Sequence, residues 1–430
     1  MKRYSKYKSS HFKWMGEIPE SWTLTKNRYG FIKSDNGSNT DESTPVLSLT
    51  TRGVKIKQNL NFGKSSESYI GHQLVEVGDI VFTPRDFDQT PILSDVSKYF
   101  GCISNLYIVD KTKDNVLNHF VNYYWYGLKY SVNYFKNFSH GMRFSFNRFQ
   151  FDEIPLLIPP LFEQHQIVHF LDEKTELIDK LISTKEKKIS LLKEQRISLI
   201  NQVVTKGLNP KVKMKDSGVE CIGDIPEEWS MTRVSNFGKF FKGNGIKKDE
   251  VKSEGFSCIR YGEIYTKYDR VVYTPTSFID EETSKNSVSI KKGDILFTGS
   301  GETVEDIGKS ILFYGEEDIF VGGDIIVLRL NQGFNPLYLS YLLNSSFVQY
   351  QKSLMGRGEI IVHIYSKNIK EIRTPIPPQT EQNEIVQFLD EKTKEIDEMV
   401  QFEQKKIDLL KEYRQSLISE VVTGKIKVTE

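Results

Sequence analysis

The sequence predicts a mixed α/β (α+β) chain in which two globular domains lie at opposite ends of an antiparallel coiled coil of two long helices, with pseudo-twofold symmetry. Three observations carry that expectation. A helix-like stretch, IPPLFEQHQIVHFLDEKT at residues 158–175, is written again as IPPQTEQNEIVQFLDEKT, 376 minus 158 or 218 residues later. A shorter signature, MGEIPESWTLTK at 15–26, returns as IGDIPEEWSMTR at 222–233. Between these shared ends lie two segments whose interiors diverge.

Aligning 158–205 with 376–423 gives about 29 identities in about 48 positions, which marks an internal duplication. Apolar residues recur at steps of three and four in both copies. Ile167, Leu171, Ile178, Ile189, Leu192, Leu199 and Val203 are matched by Ile385, Leu389, Ile396, Ile407, Leu410, Leu417 and Val421. That spacing makes a seam along one helix face. Lys174, Arg196, Lys392 and Arg414 interrupt it, so either the pairing is imperfect or these groups meet a partner. A Pro-Pro pair stops the helix extending backwards, and Gly207 and Gly424 suit its far end. A lone helix of this kind would leave its stripe in water, so each copy is expected to pair with the other. The helices are placed at 158–208 and 376–426.

The globular domains are then 1–157 and 222–375, with a linker at 209–221. Fainter echoes run inside them: VGDIVFT at 77–83 against KGDILFT at 292–298, and HFVNYYW at 119–125 against LYLSYLL at 337–343. Short β-branched and aromatic runs separated by Gly, Asn, Asp and Pro read as strands joined by turns. The aromatic tract from His119 to Phe151 reads as core. If the helices pair antiparallel, a shared mount carries two unlike heads. Such a molecule suits an asymmetric, two-part site on a duplex with its own local dyad.

Composition removes several classes. A chain of 430 residues is long enough for two cores. No run of eighteen apolar residues occurs, and the basic start lacks an apolar stretch behind it, so neither a membrane span nor a signal peptide is expected and the address is cytoplasmic. Cys102, Cys221 and Cys258 are odd in number and far apart, which argues against a disulfide framework and for buried or neutral thiols. The seven histidines show no zinc-binding spacing. With a formal charge of +1, any nucleic-acid surface must be local.

Three short matches suggest catalysis and are weaker than they look. Phe241-Lys242-Gly243-Asn244-Gly245 fits a glycine motif that cradles S-adenosylmethionine, and Asn335-Pro336-Leu337-Tyr338 approaches the N-P-P-Y motif of amino-methyltransferases. Together they make an adenine DNA methyltransferase the alternative reading. Leu337 replaces the second proline, however, and Asn335-Pro336 reads well as a helix start. GSGETVEDIGKS at 299–310 has threonine where a phosphate loop needs its first glycine. Asp172-Glu173-Lys174 and Asp390-Glu391-Lys392 lack a Pro-Asp partner and read as solvated helix faces.

The layout and wording resemble the specificity subunit of type I restriction-modification systems. The carrying residues are GEIPESW and GDIPEEW, the VGDIVF and KGDILF strands, and the PPLFEQ and PPQTEQ entries with their FLDEKT and LLKEQR or LLKEYR helices. The resemblance covers nearly the whole chain. It implies two target recognition domains, near 20–155 and 227–373, each reading one part of a bipartite DNA sequence. It also implies that the helices set the spacer and dock two modification (methyltransferase) subunits, with restriction subunits joining. This chain would itself be non-catalytic and without a cofactor, S-adenosylmethionine belonging to the modification subunits and ATP and Mg to the restriction subunits. A coiled-coil adaptor without DNA affinity is the remaining alternative.

DNA contacts need cations for phosphates and Arg, Lys, Asn or Gln for base edges. Residues 20–155 hold about 15 basic and about 14 acidic residues, so contacts must come from particular loops. The candidates are Arg52, Lys55, Arg85, Gln89, Arg143 and Arg148 in the first domain. In the second they are Lys242, Asn244, Lys247, Lys248, Arg260, Ser300 and Arg357. No metal site is expected.

Overall fold

The computed structural model describes residues 2–58, 68–85, 92–132, 134–135, 145, 147–358 and 361–428. The chain divides into two compact units, residues 1–186 with 404–430, and residues 187–403. The first long helix, Leu161–Lys206, therefore begins in the first unit and ends in the second, and the second long helix, Gln379–Val422, runs from the second unit into the first.

In the first unit, the strand Tyr7–Ser9 pairs antiparallel with Glu17–Pro19, and Thr23–Lys26 pairs antiparallel with Pro155–Ile158. A four-stranded antiparallel sheet follows in the order Phe31–Lys33, Ile108–Thr112, Ile80–Phe82, Ser94–Val96. The helix Asn118–Val132 lies against it and buries Phe120, Val121, Tyr124, Trp125 and Leu128 in one core with Phe31, Ile80 and Phe82. Residues 167, 171 and 178 of the first long helix and 417, 418, 421 and 422 of the second join the same core. Gly127 makes the approach possible, because a Cβ there would stand 2.8 Å from Val422 Cγ2 and 3.3 Å from Ser419 Cα. Of the described aromatic residues of that tract, Phe120, Tyr124, Trp125, Tyr134, Phe135 and Phe151 are core, whereas Tyr123, Tyr126 and Tyr130 are half-buried and His119 and Phe149 are exposed.

Outward from this core, the hairpin Leu47–Thr50 with Gly53–Ile56 turns over Thr51 and Arg52, and Gly101–Ile103 pairs with Gln73–Val75. Gly53 sits at φ +90, and Asp95 Oδ2 would lie 2.1 Å from any Cβ placed there. A side chain at 53 would break the turn.

The second unit starts earlier than the sequence suggests. Met214–Asp216 forms a strand antiparallel to Asp224–Pro226, the counterpart of Tyr7–Ser9 with Glu17–Pro19. The expected linker at 209–221 is therefore part of this unit, its short alternation too brief to register as a strand. The long helices also begin three residues later than expected, at Leu161 and Gln379. The preceding isoleucines, 158 and 376, close strands, and the proline pairs separate strand from helix. A five-stranded sheet runs in the order Gly238–Lys242, Ile325–Leu330, Ile295–Thr298, Ser310–Phe313, Val271–Val272. Beside it stands a four-stranded sheet, Ser277–Ile279, Phe256–Ile259, Ile319–Val321, Val288–Ile290.

Candidate nucleic-acid interface

The doubled motifs turn out to be mounts. Trp22 Nε1 donates to Glu163 Oε2 at 2.9 Å, and Trp229 Nε1 donates to Glu381 Oε2 at 2.8 Å, so the tryptophan of each short signature is tied to the glutamate that opens each long helix. The following glutamine locks the helix start to its own domain. Gln164 Nε2 donates to the Pro159 carbonyl at 2.8 Å and Oε1 accepts from Leu117 N–H at 2.7 Å; Gln382 repeats this with Pro377 at 3.0 Å and Asn335 at 2.9 Å. Tyr123 donates to Asp172 at 2.6 Å, and Tyr341 donates to Asp390 at 2.7 Å. Burial and the neighbouring carboxylate both hold the Tyr123 phenol above its ordinary range, while burial pushes Tyr341 up to about 12. Both hydroxyls therefore stay protonated donors.

The seam arginines have partners too. Arg414 Nε lies 3.0 Å from Asp179 Oδ1 in the first unit, and Arg196 Nε lies 3.1 Å from Asp397 Oδ1 in the second. Each pair is the other shifted by 218 residues. Of the fourteen apolar seam residues, Leu199 and Leu410 are half-buried and the rest are buried. The VGDIVF and KGDILF strands share a carboxylate turn: Asp79 Oδ2 accepts from Glu76 N–H at 2.8 Å and Asp294 Oδ2 from Lys291 N–H at 2.9 Å, with Gly78 and Gly293 both at φ +94.

The candidate contact residues divide into exposed and engaged groups. Arg52, Lys55 and Arg85 are exposed, Arg85 in a backbone bridge with Ser145. Gln89 and Arg143 lie outside the described residues. Arg148 is drawn inward: Nη1 lies 2.5 Å from Asp110 Oδ1 and Nε 2.9 Å from Asp152 Oδ1. Burial pushes the Asp110 carboxyl up against the pull of Arg148, so this arginine answers a structural need. Sequence reading placed it with the DNA candidates because its partners are 38 and 4 residues away.

In the second unit Lys242, Lys247 and Lys248 are exposed, Lys242 at 3.9 Å from Asp324. Asn244 Nδ2 donates to the Asn286 carbonyl at 2.9 Å. Arg260 is half-buried beside Glu263 at 3.7 Å. Burial would raise the Glu263 carboxyl, but hydrogen bonds from Lys267 and Ser277 outweigh it and hold the group below its ordinary value. Ser300 is buried rather than exposed, because its strand pairs with Val362–His363 and its Oγ lies 3.0 Å from His363 Nδ1. Arg357 and His363 exchange backbone hydrogen bonds at 3.1 and 2.8 Å, so Ser300, His363 and exposed Arg357 share one edge. His363 carried no sequence signal.

The catalytic look-alikes have structural uses. Asn335 Oδ1 caps the helix Pro336–Leu342 by accepting from Leu337 and Tyr338 N–H, and its amide donates to Asn383 at 2.7 Å. Phe241 and Lys242 end an antiparallel edge strand, and the glycine loop behind it leads only into a three-residue 3-10 turn, Lys248–Glu250. Desolvation raises all three thiols, Cys258 to about 11. Among the described residues no group of His, Cys, Asp or Glu could hold a metal, and no helix is long and apolar enough to cross a membrane.

The family model for the type I restriction modification DNA specificity domain matches residues 29–191 and 226–414. The chain belongs to that family. It is 22% identical to the type I restriction enzyme MjaVIII specificity subunit of Methanocaldococcus jannaschii over 76% of this chain and 75% of that one. It is 27% identical to the EcoKI specificity subunit of Escherichia coli over 47% of this chain and 44% of that one. Among solved structures, a chain from a study of assembly and conformational transition of the type I R-M system aligns with TM-score 0.70 at 13% identity, covering 95% of this chain and 99% of that one. The HsdS subunit of Thermoanaerobacter tengcongensis aligns with TM-score 0.52 at 14% identity, covering 97% and 100%. DNA sequence recognition as a type I specificity subunit is the function this membership carries.

Proposed function

We propose that each unit of this chain reads one half of a bipartite, asymmetric site in double-stranded DNA, and that the two long helices pair as an antiparallel coiled coil whose length sets the spacer. The single observation that carries this reading is the combination of duplicated mounts, Trp22 with Glu163 and Trp229 with Glu381, and heads that differ beyond them. The helices present equivalent faces to two modification subunits, and restriction subunits join that assembly in the cytoplasm. Supporting the duplicated dock, Leu181 and Leu409 in the first unit and their counterparts Met399 and Leu191 in the second are 51%, 54%, 50% and 55% exposed. Apolar side chains left out at matching positions suit a repeated partner. The chain itself supplies no catalytic group; S-adenosylmethionine belongs to the modification subunits, and ATP and Mg to the restriction subunits.

The test is competition binding of a randomised duplex library to this chain assembled with its modification subunits. Enrichment of two short conserved blocks at a fixed separation is expected. Enrichment of no sequence would overturn the reading and favour a coiled-coil adaptor. Insertion of one helical turn after Leu181 should change the separation and leave both blocks unchanged.

A further inference from the structure

We infer that a basic cleft in the first unit, roofed by the hairpin Leu47–Ile56, is a clamp for backbone phosphodiesters of double-stranded DNA, holding the duplex without reading its sequence. The cleft encloses about 290 Å³. Arg52 stands in the hairpin turn, Lys55 on its second strand, Lys98 just beyond the strand Ser94–Val96, and Lys129 on the helix Asn118–Val132. Arg414 closes it from the second long helix, its guanidinium 5.4 Å from the centre of the Tyr126 ring.

Charge decides what such a cleft takes. Among the described residues no carboxylate lies within ion-pair reach of Arg52, Lys55 or Lys98. Asp95 is the one carboxylate among the described lining residues, and its Oδ2 already accepts from Val54 N–H at 2.8 Å beneath the turn. Arg52, Lys55 and Lys98, with a single committed carboxylate among the described lining residues, repel one another unless an anion enters. Phosphodiesters are permanently charged and regularly spaced, and lysines on flexible stems meet them as point charges without any base preference.

The second unit makes the contrast. Its groove along the second long helix holds Arg196, paired with Asp269 at 3.3 Å and Asp397 at 3.1 Å just as Arg414 is paired with Asp179 at 3.0 Å in the first unit, but its other cations are paired as well, Arg270 with Asp390 at 2.9 Å and Lys394 with Glu398 at 4.0 Å. Those charges are satisfied within the unit. The phosphodiester clamp is therefore placed in the first unit's cleft and not in the second unit's groove. Of the clamp residues, sequence reading found only Arg52 and Lys55; Lys98, Lys129 and Arg414 come from the fold.

The inference rests on the DNA-recognition reading, and the experiment separates the two. The chain carrying R52Q, K55Q and K98Q together, assembled with its modification subunits, is compared with the unsubstituted complex for binding to its methylated site and to an unrelated duplex across a salt series. All three side chains are exposed, so the thermal midpoint should be unchanged. Both duplexes should lose affinity by the same factor, and the slope of log affinity against log salt should fall by about 2.7, roughly 0.9 per cation, with the methylated motif unaltered. Unchanged affinity and slope would overturn the clamp. Loss confined to the specific duplex would also overturn it, by making these residues base readers. If inorganic phosphate at assay strength competes as well as duplex, the cleft is a small-anion site and the clamp fails. An unsubstituted complex without site preference would sink the recognition reading instead, leaving the clamp to stand or fall on the slope for the unrelated duplex.

Discussion

Around its tryptophan, the first unit ties Trp22 to Glu163, Tyr123 to Asp172 and Arg414 to Asp179; the second ties Trp229 to Glu381, Tyr341 to Asp390 and Arg196 to Asp397. Away from these mounts the likeness fades. The first unit carries a two-stranded hairpin whose turn cations have no ion pair among the described residues, and the second has a four-stranded sheet and a groove of paired charges. Contacts that hold a domain to its helix are bound to a fixed geometry and tolerate little change. Surfaces that face outward carry no such constraint, so that is where two heads on one mount can come to read different things.

The comparison breaks most visibly if its mounts are unequal. W22A and W229A each remove a buried indole together with its hydrogen bond to Glu163 or Glu381, and each should destabilise its own unit by about 3–5 kcal/mol in denaturant unfolding. A large effect at one and none at the other would refute the equivalence. R148M should cost about 2 kcal/mol, because it leaves the buried Asp110 carboxylate without its cation, discounted for the partial exposure of Arg148. A stable R148M protein with altered site preference would return this arginine to the DNA contacts. G127A should cost about 1–2 kcal/mol through overpacking against Val422 and Ser419, read as a lowered thermal midpoint.

The last effect is one of pH, at a lysine of the second unit. Lys352 is wholly buried, its ammonium donating to the Gly308 and Leu343 carbonyls at 2.7 and 2.8 Å, and desolvation lowers its pKa to about 7. Between that value and the ordinary 10.5 the unfolded chain binds a proton that the folded chain lacks. Stability of the second unit should therefore rise with pH across that window and be flat, for this group, below it. K352M should remove the rise. An identical pH dependence in the variant would show that burial does not perturb this lysine.

Much of the architecture was legible because duplication is a strong signal. The PPxxEQ and GxIPExW pairs marked both mounts, and steps of three and four marked the seam before any contact was known. Strand Met214–Asp216 was missed because three residues give no usable alternation; its partner lies eight residues on, and only pairing defines it. The proposed interface was legible in part. Arg52 and Lys55 follow from a turn between strand-like runs, whereas Arg148 and Ser300 are claimed by Asp110 and His363, partners that only the folded chain brings near. Lys98 and Lys129 have no motif at all, and their relation to the hairpin is tertiary.

The most direct test of two heads on one mount is genome-wide mapping of methylated bases in cells expressing this chain with its modification subunits, before and after residues 227–373 are exchanged for the equivalent segment of another specificity subunit. The account predicts a bipartite motif that depends on the chain, in which the exchange rewrites one half and leaves the other half and the spacer intact. A motif that changes in both halves, or one that persists without the chain, would contradict it.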